Sequence, residues 1–289
     1  MIAASEEVVF LAIHRYNDLE WTQRLGVMGY PKIIFLDRWS RVLSNANSGR
    51  SASSLVYNIQ KNIGITLGKP KRLKIPGKLK KHVPSNLKKE AINPIIEQRA
   101  SMWIGLLSQG DWKSKELLAL FEWEADALVR IAVIQKLDAT SPKDKKVRKI
   151  LAGALSRTND YVRLAAMKKI AEIDWDEMAE LLNEIMVSVL DRTSVYSNPN
   201  NMLCEAAKLA AEIAYPSSVQ VLTRILEQET ANNLATTYAL DALIAIGKKH
   251  GLKVVQKGLE AGLFVEGVTG FESRSERLRQ KAEKALNDL

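Results

Sequence analysis

The chain has 289 residues, 46% hydrophobic and 26% charged, with a formal net charge of +9. That composition fits a soluble folded chain with room for two parts and apolar content for both cores. No apolar run approaches the roughly 18 residues of a membrane helix, and one cysteine, Cys204, excludes an internal disulfide and any multi-cysteine metal site. Taken in chain order, the first apolar run, residues 8–13 (VVFLAI), reads as a buried strand from its length and β-branching. It is too short for a signal-peptide core and lacks a basic flank and a cleavage site. Residues 17–26 form a predicted helix, with Asn17 or Asp18 able to cap it and Gly26 able to end it. Residues 32–36 (KIIFL) are a second strand, 37–40 a turn and 41–45 a third strand. Residues 51–63 are a helix with Leu55, Ile59 and Ile63 on one face.

This order, with the stretch LGVMGYPKIIFLDRWSRVL at 25–43, resembles the C-terminal two-thirds of a thioredoxin-like domain, over residues 8–64. The resemblance implies a cis peptide before Pro31, at the place where that family sets a proline against its active-site dithiol. The family's Cys-x-x-Cys and the strand–helix unit that carries it are missing here, and the only cysteine is far away at Cys204. In the family that missing strand lies between the counterparts of 8–13 and 32–36, so its loss leaves ladder groups unpaired. Met1 is therefore read as an internal methionine of a longer protein; the alternative is a degenerate domain in which the two strands pair directly. The chain as written cannot perform dithiol chemistry.

Residues 61–90 carry ten Lys or Arg and one acid, Glu90, so the segment alone accounts for +9, and the other 32 bases and 32 acids cancel. With Pro70, Pro76 and Pro84 among Gly64, Gly68 and Gly77, it reads as an extended basic linker over 65–92. The favoured role is a solubilising tether. The other role is contact with an anionic partner through Lys71, Arg72, Lys74, Lys78, Lys80 and Lys81, since clustered lysine attracts phosphates without regard to sequence. No aromatic lies between residues 58 and 102, which argues against base stacking from this stretch.

A helix over 94–108 opens the remainder, residues 93–289. Five helix pairs follow, with first helices near 113–123, 143–156, 176–190, 217–229 and 250–261. Second helices fall near 126–138, 160–173, 200–214, 232–247 and 272–288. The second helices repeat one apolar beat, from Val129, Val162, Leu203, Ala235 and Leu278, spaced 33, 41, 32 and 43 residues apart. A period of about 30–45 residues with helical beats describes stacked helix pairs. Asp160 before Val162, Pro142 and Pro216 in first turns, and Gly247 after a second helix supply start and stop signals.

The runs Asp126-Ala-Leu-Val129-Arg130 and Asp160-Tyr161-Val162-Arg163 resemble HEAT repeats and their relatives in bilin lyases, over residues 111–289. The fold class expected is therefore mainly α: a HEAT-like α-solenoid of about five helix pairs behind a small incomplete α/β segment. The resemblance implies that Asp126, Arg130, Asp160 and Arg163 tie neighbouring repeats together. It does not select a function, because that fold hosts scaffolds, transport factors, lyases and DNA glycosylases. Longer turns at 191–200 and 262–272 interrupt the rhythm and offer Tyr196, Phe264 and Phe271 as partner contacts.

Catalytic signals are weak. His14, His82 and His250 lie in three different regions, and no phosphate loop, Gly-x-Ser-x-Gly or His-Glu-x-x-His occurs. The acidic run Glu122, Glu124 and Asp126 reads as a solvated turn. Positions six past the anchors (Gln135, Lys168, Leu209, Asp241, Lys284) form no basic stripe for a nucleic-acid groove. The expectation is a non-enzymatic scaffold with a protein partner, no cofactor and no metal; its compartment is left open, with the cytoplasm favoured unless a signal sequence lies upstream of Met1. The rivals are a thiol oxidoreductase whose Cys-x-x-Cys lies upstream of Met1, and binding to nucleic acid or another anionic surface through the linker.

Overall fold

A computed structural model describes residues 18–27, 33–36, 42–46, 56–57, 59–61, 73–138, 144–156, 159–173, 176–193, 198–227, 233–247, 250–260 and 272–288. The chain is mainly helical. It divides into two compact units, residues 1–137 and 138–289.

In the first unit, α1 (Leu19–Leu25) ends at Gly26 in the left-handed region. Strands β1 (Ile33–Leu36) and β2 (Val42–Ala46) pair antiparallel, with a register shift at Phe35/Leu36. Of the expected helix over 51–63, the described residues 56–57 and 59–61 are helical. The expected strand at 8–13 lies outside the described residues.

From residue 73 onward the basic segment departs from its reading as an extended linker, and residues 65–72 lie outside the described residues. Residues Gly77–His82, Ser85–Leu87 and Glu90–Ile92 form three successive 3-10 turns. Pro76 and Pro84 stand immediately before the first two, where a fixed φ and a missing N–H cost nothing. Leu79, Val83 and Ala91 are buried, so the apolar residues between the lysines anchor the turns.

Helices α2 (Ile96–Gln109), α3 (Ser114–Trp123) and α4 (Ala127–Gln135) complete this unit. α4 packs against α1, α2 and α3, while the third 3-10 turn packs on α2 and the first on α3. Trp103 is fully buried in α2 and donates its indole N–H to the Ala91 carbonyl at 3.3 Å, pinning the end of the basic segment. Its ring meets Trp112 and Trp123 edge-on, with centroids 6.5 and 5.6 Å away.

The second unit contains α5 (Lys145–Leu155), α6 (Asp160–Glu172), α7 (Asp176–Leu190), α8 (Pro199–Ile213), α9 (Val219–Glu227), α10 (Asn233–Ile246), α11 (Gly251–Glu260) and α12 (Glu272–Asn287). Successive helices pack on one another, α8 and α9 excepted, and from α6 onward alternate helices also pack on one another. One row is therefore α6–α8–α10–α12 and the other α7–α9–α11. Apolar spacing along each helix explains the rows: Val162, Ala166 and Ile170 are buried on α6, and Leu203 and Ala207 on α8. α8 and α10 pack on one another, and both are rich in buried small residues, Ala206, Ala207 and Ala210 on one and Ala235, Ala239 and Ala242 on the other.

Two backbone positions mark the joints. Gly247 follows α10 at φ 83°, a conformation that costs a side-chain-bearing residue energy. Gly251 opens α11 so near α10 that a Cβ there would stand 1.8 Å from the Leu243 carbonyl oxygen.

Candidate functional site

Three charged clusters bind distant parts of the first unit together. The first joins Arg99 of α2 to Glu124 at the α3–α4 junction by two parallel hydrogen bonds, Nε to Oε2 at 2.6 Å and Nη2 to Oε1 at 2.9 Å. Arg99 also donates to the Asn93 carbonyl at 2.6 Å, and Glu124 Oε1 accepts from the backbone N–H groups of Ala125 and Asp126. Both side chains are buried. Such forked pairing holds both planes in one orientation.

The second cluster centres on Asp126. Its Oδ1 accepts from the N–H groups of Leu128 and Val129, capping α4, and its Oδ2 meets Arg24 Nε of α1 at 2.9 Å. Burial raises the Asp126 carboxyl above its usual range, and Arg24 and the capping N–H groups offset part of that rise. Arg24 also bonds exposed Glu20 at 3.0 Å and lies over the Trp21 ring. The run Glu122, Glu124 and Asp126 is therefore not a solvated turn. Two of its three acids are buried, because arginines 25 and 102 residues upstream neutralise them.

The third cluster holds the first 3-10 turn. Glu116 of α3 is buried and receives Lys81 Nζ at 2.9 Å and His82 Nε2 at 3.0 Å. It also closes back on the Lys113 N–H at 3.1 Å. Burial alone would raise its carboxyl; the hydrogen bonds from Lys81, the Lys113 backbone and His82 prevail and lower it to about 2. The Trp112 ring stacks on His82 with centroids 3.9 Å apart and planes 12° apart. A carboxylate held that low stays ionised at neutral pH and accepts from both Lys81 and His82, which fastens the turn to α3.

In the second unit the cap of α6 falls one residue before the one expected. Asn159, not Asp160, caps α6, accepting from Tyr161 and Val162. Asp160 is the first helical residue; its Oδ1 pairs with buried Arg163, and its Oδ2 accepts the Asn198 N–H, at the start of α8, at 3.1 Å. Arg163 Nε donates to the Leu155 carbonyl at the end of α5, and Arg130 Nε donates likewise to Phe121 of α3 at 3.4 Å. Each arginine thus closes the preceding helix of its own pair, while each aspartate reaches outward to another element.

Of the other sequence-selected residues, Lys74, Lys78, Lys80 and Lys81 are exposed on the 3-10 segment or just before it. Pro31, Lys71, Arg72, Tyr196, Phe264, Phe271 and His14 lie outside the described residues. His250 is exposed. Cys204 is buried, and burial followed by the Glu205 charge pushes its thiol up, against nucleophilic use. Among the described residues no group of His, Cys, Asp or Glu is arranged to hold a metal ion, and no helix is long and apolar enough to cross a membrane. A shallow groove between α7 and α9 is lined by Asn183, Ser217, Gln220 and Arg224, with Asn183 bonded to Ser217. The residues missed in the sequence were Arg24, Arg99, Glu116 and Trp112. Only Glu116 left a signal, three residues past Lys113 at a helix start.

Compared with family models, with curated proteins and with solved structures, the chain matches none.

Proposed function

We propose that the chain is a non-enzymatic protein-interaction scaffold built on HEAT-like repeats, preceded by a redox-inactive thioredoxin-like segment. The observation that carries this reading is the pair of helix rows in the second unit, α6–α8–α10–α12 and α7–α9–α11. Stacked helix pairs repeat side chains at regular intervals along an extended surface, which suits holding a long partner. Where the side chains of this unit are buried they are mostly Ala, Leu, Ile and Val, committed to the stack. The partner contact is assigned from the sequence to residues 191–200 and 262–272, with Tyr196, Phe264 and Phe271 as anchors.

The test is a triple alanine variant at Tyr196, Phe264 and Phe271 in the full chain. Partners are crosslinked in the native lysate, quantified against the parent chain, and read beside the thermal melt. Loss of a defined partner with an unchanged melt supports that contact. A retained partner with a lowered melt means those rings pack on their own repeats.

A further inference from the structure

We infer that the 3-10 segment and the start of α3 form a pre-organised lysine face that binds the phosphate backbone of nucleic acid without reading its bases. Between residues 73 and 92 stand six lysines and one acid, Glu90, and all seven are exposed. A flexible tether would have to order itself on binding. This segment is already fastened, by the Trp103 bond to Ala91, by His82 and Lys81 on Glu116, and by the buried side chains of Leu79 and Val83. Fixing the lysines beforehand removes an ordering cost from association.

The fold also adds charge that the sequence separates. Lys113 and Lys115 are exposed and flank the Glu116 fastening in the chain. α3 packs on the first 3-10 turn, and the Lys113 N–H bonds the same Glu116 carboxylate that receives Lys81, which brings the start of α3 against the lysine-bearing turn.

The chemistry of the face selects among anionic partners. It holds no arginine between residues 73 and 92, so it lacks the forked donor used to read guanine edges. Lysine acts on phosphate as a point charge. Exposed large apolar side chains, which would anchor a bilayer, are absent from its described residues; Leu19, Val42, Tyr57 and Leu234 lie elsewhere. Protein interface cores are depleted in lysine, which disfavours an acidic protein partner.

Fluorescence anisotropy on the full chain tests this, using labelled oligo-dT and a mixed-sequence DNA duplex across a salt series. Both probes should bind with similar affinity, and log K should fall linearly with log salt, by about 0.9 per phosphate neutralised on the duplex. The variant K78E/K80E/K88E/K89E should lose at least tenfold in affinity and flatten the salt slope, since each phosphate-contacting lysine contributes about one unit of it. K113E/K115E should weaken binding to a smaller extent, and K253E/K257E, at exposed lysines of α11, should leave it unchanged. Circular dichroism melts of all variants should match the parent. No binding at about 50 mM salt, where such contacts are strong, overturns the inference. So does unchanged affinity in both face variants, or tighter binding to phosphatidylserine vesicles or polyglutamate than to DNA.

Discussion

The two units are held together by different means. The first depends on charged side chains that meet across long stretches of chain: Arg24 with Asp126, Arg99 with Glu124, and Lys81 and His82 with Glu116. The second depends on closely packed rows of small and aliphatic residues, and among its described residues the fully buried ion pair is Arg163 with Asp160, three residues apart. A pattern of short-range periodicity can specify the second arrangement. The first requires each charge to find a partner that no local rule names.

The largest expected effect separates the two means directly. Arg99→Met strands the buried Glu124 carboxylate and should cost about 3–5 kcal/mol in chemical denaturation, while adding Glu124→Gln should recover most of the loss. A loss under about 1 kcal/mol for the single change would show that packing, not pairing, holds the first unit.

Next, the two aspartates can be set against each other. Asp160→Asn leaves Arg163 buried without its carboxylate and should cost about 3 kcal/mol. Asp126→Asn should cost only about 1–2 kcal/mol, because asparagine still caps α4 and Glu20 remains beside Arg24. The raised carboxyl of Asp126 points the same way, since its ionised form already bears a burial penalty. Equal losses would remove the distinction.

The second unit has its own sensitive point. Gly251→Ala forces a methyl onto the Leu243 carbonyl and should cost about 1–3 kcal/mol by thermal melt, with the first unit unaffected. Acid probes the first unit through Glu116. Glu116 titrates near 2 when folded against an ordinary 4.5, so its stabilisation is complete above pH 4.5 and is lost as the pH falls toward 2. Glu116→Gln should flatten the dependence of Tm on pH across that window; an unchanged slope would mean Glu116 does not fasten the basic segment. The smallest change expected is a gain. Ala214 ends α8 in the left-handed region at φ 52°, and Ala214→Gly should stabilise the chain by about 0.5–1 kcal/mol in the same melt.

What the sequence disclosed follows the same division. The apolar beats of Val162, Ala166 and Ile170, or of Ala235 and Ala239, place helices whose ends fall close to those observed, because burial along one helix face is a local property. The basic segment was misread because proline and lysine dominate its composition, while its structure depends on Leu79, Val83 and Ala91 and on a tryptophan that lies past its end. Asp126 looked solvated for a similar reason: its counter-charge is on Arg24, in another element. The cap register of α6 was off by one residue, since Asn159 and Asp160 can both cap and only the geometry separates them. The lysine face was legible as a run of charge, but not its fastening to α3 through Glu116.

The arginines Arg130 and Arg163 carry a consequence for how such a chain can vary. Each satisfies a carbonyl near the end of the preceding helix from inside the following one. At Arg163 the connection before α6 is thereby relieved of one capping duty, whereas the connection before α4 stays constrained because Glu124 and Asp126 are buried in it. Insertions between the paired helices at 156–159 should be absorbed more readily than insertions after Gly247, where the backbone of the turn makes the closure and α11 must begin against Leu243.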